Sequence, residues 1–390
     1  MPEEIWDDMV KNERNIFFSL MFLNGSVLWA YYSCLSAQDF YTVEFADSGL
    51  DFSFLTTLCT SWPMVIGQAV QMIWSLDKKL TQEFRVRVGY GIFILMAILI
   101  MIFSAINFSN QKTGAILVLI CFGCVGFGNT LSESTYYTIA ALFPAVQIGN
   151  GTAGILNISL ATLLRLAVGG VHQTSSSTKL AFYLFFGILI VVLIVALQGG
   201  EPHEPGRQQD PEQPVAHLRH HLDACRRPVP RVLRVSRYSL ASAALASRNL
   251  APPYSDVTHT VTRNWYCAPG IVGSYNYGDF FGPAQQRVVL RSVYRTSGFI
   301  PLLLMGVAGT SLYAFGHDDM TAIVYNIILN LLIGLSNGFL STVTMGVGPR
   351  LLNPEDRESG GAVMVLCLFL GIAGGSTLGF FFSDQGWLGL

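Results

Sequence analysis

Apolar residues fall into runs at 16–37, 52–76, 88–108, 113–143, 147–171, 179–197, 265–285, 297–315, 320–347 and 360–382, parted by polar stretches. About 20 consecutive apolar residues cross the hydrocarbon core as a helix. In lipid a segment must satisfy its own backbone, which excludes open sheets. The pattern therefore predicts an all-α polytopic bundle in two groups: six spans over 1–198, then a second bundle over 265–390, with a polar cytoplasmic segment at 199–264 between them. The amino-terminal residues, with Glu3, Glu4, Asp7 and Asp8, are acidic, whereas a secretory signal begins with a basic region. The first run is read as a retained span.

Basic residues orient the bundle. Lys78, Lys79, Arg85 and Arg87 crowd the second loop, while the first loop, 38–51, has no Lys or Arg and four acids. The positive-inside rule then puts the amino terminus and the second loop in the cytoplasm. The Arg-rich stretch after span six, the loop of Arg287, Arg291 and Arg295, and the loop of Arg350 and Arg357 also read as cytoplasmic. Counting crossings exposes a conflict, because one span at 265–285 would carry the Arg287–Arg295 loop outside. One further crossing between about 232 and 264 restores the rule, yet that region offers only the short apolar run 238–246. The expectation is 10–11 spans in a 6+5 arrangement, with the seventh degraded or missing. Just before it, Pro202, Pro205, Pro211, Pro214, Pro228 and Pro230 stand among Arg and His residues. This stretch reads either as a disordered cytoplasmic linker or as the product of a reading-frame error that damaged the following helix.

Composition fits that class. Hydrophobic residues make up 51% of the chain and charged residues 12%, against about 25% charge in soluble domains. A net charge of -2 gives no reason to expect a nucleic-acid partner. His217, His220, His221 and Cys225 cluster, but no second ligand pair follows at a metal-binding spacing, so neither a metal nor a cofactor is expected.

Against this apolar background Glu133, Arg165 and Asp279 stand out. An ionisable side chain at a membrane helix centre costs roughly 2.5–3.5 kcal/mol or more, so such residues tend to line a polar path or pair with one another. Arg165 is a candidate charge partner for either acid. Gly334-Leu335-Ser336-Asn337-Gly338 matches the G-x-S-x-G nucleophile pattern, but that chemistry needs a strand-to-helix turn and a His base. Here it lies within an apolar run, with every His outside the spans or at their edges. An intramembrane aspartyl protease would need a second carboxylate beside Asp279, for which Glu133 is the available mate. Gly371-x-x-x-Gly375, with Gly151 and Gly154, follows the small-residue spacing that lets membrane helices approach closely.

Four blocks carry a resemblance. They are Gly334-Leu-Ser-Asn-Gly338 through Pro349-Arg350, Pro354-Glu-Asp-Arg-Glu-Ser-Gly-Gly361 and Gly371–Gly375; Glu133-Ser-Thr-Tyr-Tyr through Pro144 and Gly149-Asn-Gly151; Thr57-Leu-Cys59 with Pro63; and Tyr275-Asn276-Tyr-Gly-Asp279. Together they resemble the equilibrative nucleoside transporter family, over most of the chain except 199–264. The resemblance implies eleven spans, a cytoplasmic amino terminus and a fold like that of the major facilitators, with two bundles rocking about a midplane site. It maps the family's substrate residues onto Trp29, Glu133 and Asp279. Trp29 is flanked by Leu28 and Ala30 where Pro and Asn are usual, Glu133 stands where Gln is common, and the Arg expected four positions after the aspartate is Pro283.

The chain is thus read as a multi-pass carrier of nucleosides or nucleobases, working by alternating access without covalent chemistry. Its partners are the small-molecule substrate and the lipid bilayer, with the plasma membrane favoured over an organelle. Trp29 would stack on a base while Glu133 and Asp279 accept its hydrogen bonds, and Glu133 is a candidate for coupling transport to protons. The alternatives are a carrier of another polar solute on the same fold, an intramembrane aspartyl protease, or a non-transporting product damaged at 199–264.

Overall fold

The computed structural model describes residues 12–50, 52–74, 76–106, 108–140, 145–199, 270, 272–281, 320–347 and 357–384. The segment beyond Gly199 with its expected degraded helix, the run at 297–315 and Pro283 lie outside these residues. The described chain is helical. In order the helices are α1 (Glu13–Ser36), α2 (Gln38–Glu44), α3 (Phe52–Ile73), α4 (Leu76–Lys79), α5 (Gln82–Ala105), α6 (Gln111–Ala140), α7 (Ala145–Gly169), α8 (Ser175–Gly199), α9 (Gly273–Phe281), α10 (Met320–Val347) and α11 (Arg357–Asp384).

Among the described residues six helices are long and apolar enough to cross a membrane: Arg14–Glu44, Gln82–Ala105, Gln111–Tyr136, Ile148–Gly169, Ser175–Gly199 and Gly360–Thr377. The run read at 320–347 coincides with α10. Helix α8 shows how these elements pack. Ala181, Phe182, Phe185, Phe186, Leu189, Leu193 and Ala196 form its buried stripe, recurring at the three- and four-residue spacing of one helix face. Leu184, Val191 and Val195 are exposed on the other side, as expected of a surface that meets lipid.

Helix α3 is more polar, with Thr56, Thr57, Thr60, Ser61, Gln68 and Gln71 all buried. Its hydroxyls are satisfied within the helix: Thr56 donates to Phe52 O at 2.7 Å and Thr60 to Thr56 O at 2.8 Å, the back-bonding that lets Ser and Thr sit in apolar surroundings. Pro63 lies inside this helix and cannot donate to the Cys59 carbonyl one turn earlier. Helix α6 passes that point with a glycine; a Cβ on Gly123 would sit 3.5 Å from Cys59 O and 3.6 Å from Pro63 Cγ.

The stretch 38–51, expected as a polar loop, is a structured cap. Helix α2 continues almost directly from α1 and ends in a 3-10 turn, Ala46–Ser48. The acids of this stretch hide three aromatics, Phe40, Tyr41 and Phe45, all buried. Phe40 stacks on Phe182 with ring centroids 3.9 Å apart, and Tyr41 packs on Phe52 and Phe122. Lys179 at the start of α8 donates to Glu44 at 2.8 Å. Burial of aromatic area, which dominates such contacts, outweighs the preference of the neighbouring acids for water.

Helices from the two ends of the chain meet along two seams, α11 against α3 and α6, and α9 against α7. In the first seam Gln68 donates to Ala362 O at 3.2 Å and the Trp62 indole to Thr377 Oγ1 at 3.1 Å. In the second, Ser159 and Tyr277 share a hydroxyl–hydroxyl bond of 2.7 Å.

Candidate functional site

Helix α9 lies backbone to backbone on α10. A Cβ on Gly278 would fall 2.2 Å from Leu331 O, one on Gly334 2.1 Å from Tyr275 O, and one on Gly338 2.0 Å from Asp279 O. No side chain fits such gaps, so the glycines are what permits this approach. The residues that match a nucleophile pattern are thus part of a helix–helix contact, with Ser336 Oγ donating to Ile333 O in its own helix at 2.8 Å. The contact brings Asn337 to Asp279, whose Oδ1 accepts from Asn337 Nδ2 at 2.8 Å. On its other side α9 meets α7, where a Cβ on Gly151 would be 3.0 Å from Phe280 Cα and one on Gly154 2.8 Å from Asn276 Oδ1. Gly371 and Gly375 are buried on α11.

Glu133 lies on α6 at 2% exposure. It accepts a short hydrogen bond from Asn129 Nδ2, one turn earlier on the same helix. Next to it, Ser134 donates to Gln71 Oε1 of α3 at 3.3 Å and to Thr130 O at 2.6 Å.

The Tyr32 phenol lies within electrostatic reach of Asp279, Tyr275, Tyr31 and Glu133, and Tyr31 within reach of Glu133. Tyr32 is partly buried, while the buried Tyr31 hydroxyl has no hydrogen-bond partner among the described residues. Trp29 lies three residues before Tyr32, and residues at that spacing are neighbours on a helix surface. It packs partly buried against the core. Donors converge on one side of the Asn157 amide, which identifies that side as its oxygen. It accepts from Trp29 Nε1 at 3.1 Å and Ser33 Oγ at 2.9 Å, while its nitrogen donates to Ser36 Oγ at 2.5 Å. Asn157 of α7 thereby fixes the plane of the indole.

Arg165 stands eleven residues beyond Gly154 and eight beyond Asn157 on α7, about 16 and 12 Å along the axis at 1.5 Å per residue. Its carbonyl accepts from Gln173 Nε2 at 3.1 Å where the helix ends. Tyr31, the neighbour of Glu133, precedes Ser33 and Ser36, which mark the level of Asn157 on α1. The Arg165 backbone therefore stands beyond the level of Gly154 and Asn157 on α7.

Tyr31, Tyr32, Asn129, Asn157 and Asn337 escaped the sequence reading. Ionisable residues in apolar runs announce themselves; neutral polar residues and tyrosines in membrane helices do not. For Asn337 a usable signal existed, since it directly precedes a glycine of the Gly334-x-x-x-Gly338 pair.

Solved structures with the same fold include the E. coli fucose:proton symporter FucP (TM-score 0.58, 14% identity, 94% of this chain and 92% of that one) and a point mutant of the nucleoside transporter NupG (TM-score 0.57, 11% identity, 94% and 92%). The fold is that of the major facilitator architecture. Residues 275–384 match the family model described as nucleoside transporter. Equilibrative nucleoside transporter 4 of Danio rerio is 20% identical over 97% of this chain and 86% of its own length, and that of Homo sapiens 23% identical over 96% and 84%. Equilibrative nucleoside transporter 2 of Homo sapiens is 43% identical over a 58-residue stretch covering 15% of this chain. The resemblance read from the sequence motifs is borne out as a similarity: the chain is similar to equilibrative nucleoside transporters over most of its length, with the family-model match at 275–384.

Proposed function

We propose that this carrier moves nucleosides or nucleobases by alternating access, and that Glu133, Asp279 and Trp29 contact the substrate. The observation that carries the assignment of residues is the packing of α9, which bears Asp279, on α7, closed by the Ser159–Tyr277 bond. Tyr32 of α1 lies within electrostatic reach of both Asp279 and Glu133. A solute held there touches helices from both ends of the chain, so a rocking motion of one set against the other changes its exposure from one side of the membrane to the opposite side. A nucleoside suits such a site because it offers a flat ring for Trp29 and N–H or O–H donors for two carboxylates.

The charge distribution supports a cytoplasmic amino terminus, and the plasma membrane is the favoured host. Glu133 couples transport to protons in this proposal; adenosine uptake insensitive to external pH in both wild type and Glu133→Gln would remove that part.

Uptake of radiolabelled adenosine and hypoxanthine in a transport-deficient cell tests the whole reading. Asp279→Ala at equal surface level is expected to lower uptake about 10–100-fold, the range set by loss of a hydrogen bond to a charged group. Wild-type cells that accumulate neither solute above background would refute it. Pro283 favours a second reading, a carrier of a different polar solute, because the resemblance leads to an Arg there. Competition of Asp279-dependent uptake by other sugars or bases separates the two.

A further inference from the structure

We propose that Asn337 is a positioning residue for Asp279, aiming its carboxylate at the substrate; this rests on the function proposed above. Three observations lead to it. Asn337 is the one hydrogen-bond partner of the Asp279 carboxylate among the described residues, through Oδ1 at 2.8 Å. Asp279 as a residue is only partly buried. The backbone beside both residues is fixed by Gly338, which leaves no room for a Cβ against Asp279 O. The residue that fixes the carboxylate thus directly precedes the residue that fixes the main chain behind it.

The consequence is a preset acceptor. A carboxylate rotates freely about its last torsion unless one oxygen is held. With Oδ1 held by the Asn337 amide, Oδ2 is left for a donor from a solute on the Tyr32 side. A binding group that does not reorganise loses less free energy when the ligand arrives. Asn337 therefore acts on affinity through Asp279 without touching the solute.

The groups around Asp279 make the proposal testable by pH. Helix α1 brings Tyr32 and Tyr31, α6 brings Glu133, and α9 itself carries Tyr275. At this level α7 presents Gly151, Gly154 and Ser159, and α10 presents the neutral Asn337. Asn337→Asp would place a second carboxylate against Asp279. Such a pair shares one proton at low pH, which keeps a hydrogen bond between them, and repels once that proton is lost.

The experiment is concentration-dependent adenosine uptake from pH 5.5 to 8, for wild type, Asn337→Leu, Asn337→Ser and Asn337→Asp, each corrected for surface level. Asn337→Leu is expected to raise KM about tenfold with little change in maximal rate, and Asn337→Ser, which retains a donor, to recover part of the loss. For Asn337→Asp the KM ratio to wild type should lie near one at pH 5.5 and rise about tenfold by pH 8. A ratio constant across pH, or an Asn337→Leu that lowers only maximal rate, overturns the proposal. If wild type carries no adenosine, the functional reading fails instead. The contact is then read without solute, as non-additive melting shifts of Asn337→Leu and Asp279→Asn in purified protein; additive shifts would overturn it.

Discussion

Helix pairs α3–α6 and α9–α10 both bring backbones together over glycine, yet they hold their acids differently. A Cβ on Gly126 of α6 would lie 2.1 Å from Thr60 O of α3, and one on Gly334 of α10 2.1 Å from Tyr275 O of α9. In the first pair Glu133 takes one hydrogen bond from Asn129 of the same helix. In the second, Asp279 takes its bond from Asn337 across the helix contact. An intrahelical donor stays in place whatever the distance between helices. A donor on the neighbouring helix is only as well placed as the helix contact is tight.

Gly338→Leu tests that contrast most severely. It drives a branched side chain into Asp279 O and should abolish both surface delivery and uptake, read by surface labelling and adenosine accumulation. The milder pair Gly338→Ala and Gly126→Ala sharpens it. Each should cost about 1–3 kcal/mol through overpacking, measured as a lower melting temperature in detergent. Gly338→Ala should raise the KM for adenosine more than Gly126→Ala, because separating α9 from α10 pulls Asn337 from Asp279. Equal KM changes in the two variants would erase the distinction. Asn129→Leu should weaken uptake by about tenfold or less without changing the melting response to mutation of Gly126. Smallest is Lys179→Met: the Lys179–Glu44 pair is partly exposed, and such pairs contribute about 0–1 kcal/mol. Uptake kinetics should stay at wild-type values, with at most a small drop in melting temperature.

The contrast also marks what could be read in the chain and what could not. Long apolar runs bounded by polar residues give helices such as α8 and α10 directly, because the bilayer tolerates little else. Glu133 and Asp279 were visible for the same reason, as charges too costly to leave in lipid unless used. Asn337 and Asn157 were not. Each acts through a contact between helices far apart in sequence, and a lone asparagine in a span carries no mark of which neighbour it will face. Gly334 and Gly338 fit two patterns with one spacing; only the neighbouring helix shows that close approach is their use. Arg165 illustrates the opposite limit, since a charge in an apolar run near a helix end need not stand at the depth of the others. The cap at 38–51 was read as a loop because its acids masked aromatic residues that pack onto α3, α6 and α8.

That cap has a mechanical consequence. With Phe40 and Tyr41 wedged among Phe52, Phe122 and Phe182, the link between the first two long helices is a keystone and not a flap. It cannot swing aside alone to admit a solute. Any opening at that end must tilt α1, α3, α6 and α8 together, so their amides should gain and lose deuterium in step with those of 40–45 during turnover.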